Sequence, residues 1–188
     1  MYDLVLKNCN VVNENVVSEV DIGINNERIE KIAGNISSEA RNEIDLQGKL
    51  LIPGLIDDQV HFREPGLTHK GEIATESKAA IAGGVTSYFE MPNVNPNTST
   101  IENLEKKFDI AANKSYANYS FYLGATNDNI EEIKKSDPNA SCGLKVFMGA
   151  STGDLLVNKY ESLEKIFEHC PTNIAVSYTH LRAHETEA

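Results

Sequence analysis

Cysteine is scarce in this 188-residue chain: Cys9, Cys142 and Cys170 are odd in number and none stands in a CxxC spacing. That argues against a disulfide framework or a thiolate metal site and leaves reduced, mostly buried thiols. Also missing is a run of about 18 apolar residues that could span a bilayer. No charged segment followed by an apolar stretch opens the chain as a secretion signal would, so the expected compartment is the cytoplasm. Basic residues fall short too. Lys and Arg number 17 against 28 Asp and Glu, for a formal charge of −11, and the charges are scattered through the chain. With no basic face, nucleic acid and anionic membrane are poor partners.

What is present is 40% apolar content, enough for one sizeable core or for a large domain with a smaller one attached. From Met1 to about Leu50 the pattern is short and alternating. YDLVLKNCNVV, SEVDIGI and RIEKIAG read as strands of a small β module, with a hairpin expected at Asn25-Asn26 because Asn tolerates positive φ. At LLIPGLIDDQVHF a continuous apolar run predicts a strand buried on both faces, as in a parallel sheet. Helical and strand-like segments then alternate. Ile73 to Ala82 predicts a helix stopped by Gly83-Gly84, and VTSYFEM a strand ending in the turn-prone PNVNPN. Ser99 to Glu102 has the form of a capping box before a helix with Ile101, Leu104, Phe108 and Ala111 on one stripe. NYSFYLGAT, GLKVFMGA and NIAV predict further strands. Helices are expected at Asp128 to Lys135 and at Tyr160 to His169, the second burying Leu163, Ile166 and Phe167.

Such alternation requires right-handed parallel crossovers, in a (β/α) barrel or an open doubly wound sheet. No GxGxxG or Walker A loop follows the first strand, which weakens the nucleotide-binding version. In a barrel, chemistry collects at the carboxyl ends of strands, and the unusual residues stand there. In a regular strand, residues two apart share a side and lie roughly 6.6 Å apart. A metal site in IDDQVHFREPG could therefore draw on Gln59 and His61, with Arg63 following on the same face. A guanidinium so near the core needs an anion. It is either a structural carboxylate such as Glu64 or a substrate carboxylate held by two parallel hydrogen bonds. Asn93 needs no explanation beyond its turn, although a barrel would bring it to the same mouth. Lys145, mid-strand among apolar residues, is either half of a buried ion pair or a lysine of lowered pKa able to take up carbon dioxide as a carbamate.

Together PGLIDDQVHFREPG, AGGVTSYFEMPN and GLKVFMGAS resemble the dihydroorotases, cyclic amidohydrolases of the metal-dependent amidohydrolase superfamily, from the N-terminal module to Val176. The resemblance implies an α/β fold: the first half of a (β/α)8 TIM-type barrel over residues 51–176, preceded by a small β-sandwich module over residues 1–50. It implies one or two Zn2+ ions, with His61 as a ligand and a carboxylated Lys145 as a bridge. It also implies a small-molecule substrate whose carboxylate is bound by Arg63 and Asn93. Related allantoinases carry Asn where Arg63 stands, so Arg63 favours a ring bearing a carboxylate. The implied reaction is reversible hydrolysis of dihydroorotate to N-carbamoyl-aspartate in pyrimidine biosynthesis, with metal-activated water attacking the ring carbonyl. The base would come from a later strand, so no catalytic base is expected within this chain. The alternatives are an allantoinase or hydantoinase, or a catalytically silent homologue that serves as a scaffold for a carbamoyltransferase. A homo-oligomer is compatible with each.

Two departures from the family pattern stand out. The family motif on the first barrel strand is Asp-x-His-x-His, and here Gln59 occupies the first histidine position. An amide oxygen is a poorer zinc donor than imidazole, which points to a second metal that is weakly held or absent. After NIAV the family would place a His-x-Glu-Asp type motif, but the chain has SYTHLRAHETEA. His180 and His184 have the i, i+4 spacing of a helical metal site, yet the segment lacks an apolar stripe. Residues 177–188 are therefore expected to be non-native sequence, and the chain an N-terminal fragment, inactive and poorly soluble alone.

Overall fold

The computed structural model describes residues 1–178; the expectation for the tail falls, beyond Tyr178, outside the described residues. The chain divides into two compact units, Met1–Gly54 and Leu55–Ala188.

The first unit is a five-stranded mixed sheet. β1 (Tyr2–Asn13) pairs antiparallel with β2 (Val16–Asn25), which pairs with β3 (Arg28–Ala33), while β4 (Ala40–Asp45) and the short β5 (Leu50–Leu51) run parallel to β1. Both hairpins turn on two residues of positive φ, Glu14 and Asn15 in one, Asn26 and Glu27 in the other, the pair of conformations a type I′ turn demands. The second turn thus falls one residue beyond the expected Asn25-Asn26. Val5, Cys9, Ile22 and Ile36 are buried. Among them Asp21 accepts from Lys7 Nζ (2.7 Å) and from the backbone N–H of Asn8 (3.0 Å) and Ile36 (2.9 Å). All three cysteines are free thiols, Cys9 buried and the others half-buried.

LLIPGLIDDQVHF does not form one strand. It breaks at Ile52–Gly54, leaving β5 in the first unit and starting β6 (Leu55–Val60) in the second. Pro53 has no N–H to give a ladder, and this is the physical reason for the break. The second unit then runs α1 (Ile73–Ala82), β7 (Val85–Glu90), α2 (Ile101–Lys114), β8 (Asn118–Gly124), α3 (Ile130–Ile133), β9 (Gly143–Phe147), α4 (Tyr160–His169) and β10 (Ile174–Ser177). Its five strands are parallel and lie in sequence order, β6-β7-β8-β9-β10. A doubly wound sheet reverses its strand order at a switch point; sequential order is the winding of a barrel.

The helices form much as their patterns predict, with local differences. The N-cap of α2 is Thr100, whose hydroxyl accepts from Asn103 N–H at 3.2 Å, while Glu102 pairs with Lys106 one turn on. The expected Ser99–Glu102 capping box is therefore not made. Phe167, expected in the buried face of α4, is 54% exposed and Ile166 carries that face. β6 also departs from expectation. Among the described residues it is an edge strand paired only with β7, and Ile56 is 66% exposed, whereas all five residues of β9 are buried. The core lies in two clusters. One, around Phe62, Tyr88, Leu104 and Phe121, joins α1 and α2 to the sheet; the other, around Leu123, Leu144, Val146 and Ile166, does so for α3 and α4.

Candidate active site

Three strands end in polar loops at the same edge of the second unit. β6 stops at Val60, so His61 and Arg63 belong to the loop that follows, and a register irregularity between Asp57 and Val60 breaks the simple alternation of the strand. The expectation that Gln59, His61 and Arg63 follow one another along a single strand face is corrected by this geometry. Gln59 is exposed, its N–H bonded to Asp57 Oδ1 at 3.1 Å. Arg63 takes a left-handed backbone conformation, φ 70°.

The β6 and β7 loops are stitched together. Met91 N–H donates to Val60 O (3.0 Å) and Asn95 N–H to Pro65 O (3.1 Å). Gly66, at φ 79°, lies so close to Asn95 that a Cβ there would sit 1.9 Å from its carbonyl oxygen. His61 Nδ1 is 2.8 Å from Asn93 Oδ1. Because an amide oxygen only accepts, this contact makes Nδ1 the protonated nitrogen and leaves Nε2 with a free lone pair. The pKa of His61 lies below the ordinary range. Burial is the main cause and Arg63 the next, with the Asn93 contact opposing them. The shift favours the neutral imidazole, which is the form that binds metals.

Arg63 Nη1 reaches Asn93 O at 3.5 Å, and no carboxylate lies within ion-pair distance of its guanidinium among the described residues. Glu64, the structural carboxylate expected from the sequence to neutralise it as one of two alternatives, is committed elsewhere. Its Oε2 accepts from Ile73 N–H at the start of α1 (2.9 Å), and its Oε1 pairs with Lys114 of α2. The left-handed turn at Arg63 separates the two side chains, which sequence spacing alone did not reveal.

Lys145 is 2% exposed in the middle of β9, its ammonium 5.2 Å from the Phe147 ring centroid. Burial lowers its pKa, and Asp58 at the end of β6 opposes that shift. Lys145 also lowers the His61 pKa, behind burial and Arg63, and the direct contacts join His61 and Arg63 to Asn93. Among the described residues no three His, Cys, Asp or Glu side chains gather into a metal site. The donors present suit a metal in kind: an imidazole with a free Nε2 and a lysine of lowered pKa. Tetrahedral zinc takes four ligands, so they do not complete a site by themselves.

Glu90 and Lys107 were not anticipated from the sequence. Both side chains are 0% exposed, and Glu90 Oε2 lies 3.0 Å from Lys107 Nζ. Glu90 Oε1 accepts from Arg63 N–H at 3.0 Å, and Lys107 donates to Met91 O at 3.0 Å while lying over the Phe121 ring. A signal did exist. Lys107 stands three residues after Leu104 and four before Ala111, on the apolar stripe of α2, and Glu90 ends β7 directly after Tyr88 and Phe89.

A protein-family model described as "Dihydro-orotase-like" matches residues 48–137. An allantoinase of Desulfitobacterium hafniense (strain Y51) is 39% identical over 144 residues, which cover 76% of this chain and 31% of that protein. A dihydroorotase of Methanosphaera stadtmanae is 34% identical over 173 residues, covering 90% of this chain and 37% of that protein. Among solved structures, the L-hydantoinase (dihydropyrimidinase) from Arthrobacter aurescens superposes with a TM-score of 0.89 at 28% identity, covering 100% of this chain and 44% of that one. The chain spans about a third of the length of the curated relatives it matches. Its fold is a β-rich N-terminal module followed by a curled parallel half-barrel.

Proposed function

We propose, from the premise that the chain belongs to the dihydroorotase-like cyclic amidohydrolases, that the whole protein is a dihydroorotase. It would open the cyclic amide of dihydroorotate reversibly to N-carbamoyl-aspartate, in pyrimidine biosynthesis. The observation that carries this reading is the guanidinium of Arg63. It stands beside Asn93 with no carboxylate to neutralise it among the described residues, because Glu64 is bound to Lys114 and the start of α1. A buried or half-buried cation without an anion is poised for an anionic ligand, and the planar fork of Arg suits a carboxylate. Allantoin and hydantoin rings carry no carboxylate and would leave that charge unmet.

In this reading Arg63 and Asn93 orient the ring through its carboxylate, and the contact with Asn93 holds the His61 imidazole in one tautomer. Zinc is the metal we propose, one or two ions. His61 through Nε2 and Lys145 would hold it, Lys145 after its neutral amine has added carbon dioxide and released a proton, with Gln59 as a weak third donor. When bound, such a metal polarises the ring carbonyl and lowers the pKa of water to near neutrality. In this reading the base that moves the proton to the leaving nitrogen comes from a later strand of the whole protein.

A second reading, an allantoinase or hydantoinase, is favoured by the 39% identity to an allantoinase and by the superposition on an L-hydantoinase. A silent scaffold would have no use for an unneutralised Arg63 beside a neutral His61. The deciding experiment offers the whole enzyme L-dihydroorotate, allantoin and hydantoin. Turnover of the carboxylate-bearing ring, with KM raised selectively by Arg63→Ala, is expected. Preference for an uncharged ring, or an equal effect of the substitution on all three, would overturn the dihydroorotase assignment.

A further inference from the structure

The loop that carries Arg63 is held from behind by two carboxylates, each tied to helix α2. Glu64 meets Lys114 at its end, and Glu90 meets Lys107 in its middle. The first tie has an evident purpose in joining α1 and α2 to the loop. The second is harder to explain as stabilisation, because two charges wholly removed from water seldom repay their lost hydration. Its geometry supplies another purpose. Glu90 Oε1 takes the backbone N–H of Arg63, a residue in the left-handed region that a side chain other than glycine enters at a cost. Lys107 in turn spans Glu90 Oε2 and Met91 O, so the carboxylate is aimed by a cation that is itself anchored to the end of β7.

We propose that Glu90 and Lys107 are positioning residues for Arg63. The carboxylate fixes the backbone turn that points the guanidinium toward Asn93 and away from Glu64, and the ammonium fixes the carboxylate. This rests on the reading that Arg63 receives the substrate carboxylate. A straight continuation of the strand would leave Arg63 to follow the strand's own alternation; the turn held by Glu90 is what brings Arg63 beside Asn93.

The test is amide exchange on the full 15N-labelled chain. In the unaltered chain the Arg63 amide proton should be shifted downfield and protected, because a charged acceptor bonds it more strongly than water does. Glu90→Asp keeps the charge pair but draws the carboxylate back by one methylene. It should speed exchange at Arg63 about tenfold while Leu123 and Leu144 keep their rates. The double variant Glu90→Gln with Lys107→Met keeps an acceptor oxygen at full reach but removes the cation that aims it, and should lose part of the protection at Arg63. Full protection in that variant would overturn the role given to Lys107. An unprotected Arg63 amide in the unaltered chain overturns the proposal, whatever the variants do. So does a Glu90→Asp variant whose Arg63 exchange is unchanged, or rises by the same factor as at Leu123, which would mark a purely structural pair. Adding L-dihydroorotate to the whole enzyme and following the Arg63 Nε–Hε signal separates the underlying reading. A protected amide with an unresponsive guanidinium would leave the clamp standing and remove the carboxylate it was proposed to serve.

Discussion

Replacing Lys107 by Met in the full chain strands a carboxylate in the interior. Glu90 would keep the Arg63 N–H as a hydrogen-bond donor, but Oε2 would lose the only cation beside it among the described residues. Breaking a buried pair on one side costs about 3–5 kcal/mol, a large share of the 5–15 kcal/mol typical of a domain. With a urea slope of about 2 kcal/mol/M the midpoint should fall by about 2 M. Replacing both partners, Glu90→Gln with Lys107→Met, should behave quite differently. Burial holds the Glu90 pKa above its ordinary 4.5, with Lys107 opposing, and holds the Lys107 pKa below its ordinary 10.5, with Glu90 opposing. For Glu90 the linked stability is complete below pH 4.5 and declines as pH rises through the folded value. For Lys107 it is complete above pH 10.5 and declines as pH falls through the folded value. At pH 7 both charges therefore weigh against folding relative to neutral groups. The double variant should lie near the wild type at that pH or exceed it by about 1–4 kcal/mol. Its stability should also decline less than the wild type's between pH 4.5 and 7. Equilibrium urea titrations of the four proteins give the coupling energy directly. A Lys107→Met cost below about 1 kcal/mol, or a double variant as unstable as the sum of the singles, would refute the reasoning.

Further outcomes follow from the same geometry. In the whole enzyme, Arg63→Ala removes charge-assisted hydrogen bonds worth about 2–4 kcal/mol, so KM for dihydroorotate should rise about 30- to 1000-fold, and that for an uncharged ring by far less. Incubation with 13C-bicarbonate should produce a carbamate resonance that Lys145→Met abolishes; a signal that survives the substitution would place the carbamate elsewhere. In the first unit, burial would raise the pKa of Asp21, but Lys7 and the N–H groups of Ile36 and Asn8 outweigh it, and the net shift is downward from 3.8. Its stabilising contribution is thus present above pH 3.8 and lost as pH falls through the folded value. Asp21→Asn should cost about 1–3 kcal/mol, read as faster amide exchange at Ile36 and Asn8. Leu144→Ala, at a fully buried position of β9, should cost about 2–5 kcal/mol by thermal or urea unfolding.

Much of the second unit was legible in the sequence because its signals are local. Gly83-Gly84 ends α1 where the chain needs a left-handed residue after the helix, and Gly84 takes φ 89°. β9, apolar apart from Lys145, lies inside the sheet with all five residues buried, as its run of apolar neighbours predicts. The motif segments around His61, Asn93 and Lys145 stood out for the same reason: polar groups at the ends or middles of apolar strands demand an explanation wherever the chain goes. Strand burial was less legible, since a run such as LIDDQV reads alike at a sheet's edge and at its centre, and only the pairing of β6 with β7 alone left Ile56 exposed.

The sequence by itself determined the alternation of strands and helices and the residue types that crowd the loops, because periodicity, turn chemistry and capping act over a few residues. Only the tertiary structure decided which charges meet. Glu64 and Arg63 are chain neighbours, yet Glu64 pairs with Lys114, fifty residues away, while Arg63 donates its N–H to Glu90, twenty-seven away. A left-handed backbone at one residue reverses where the next side chain points. Buried charges then choose partners by distance and desolvation, quantities that exist only once α2 has packed across the sheet.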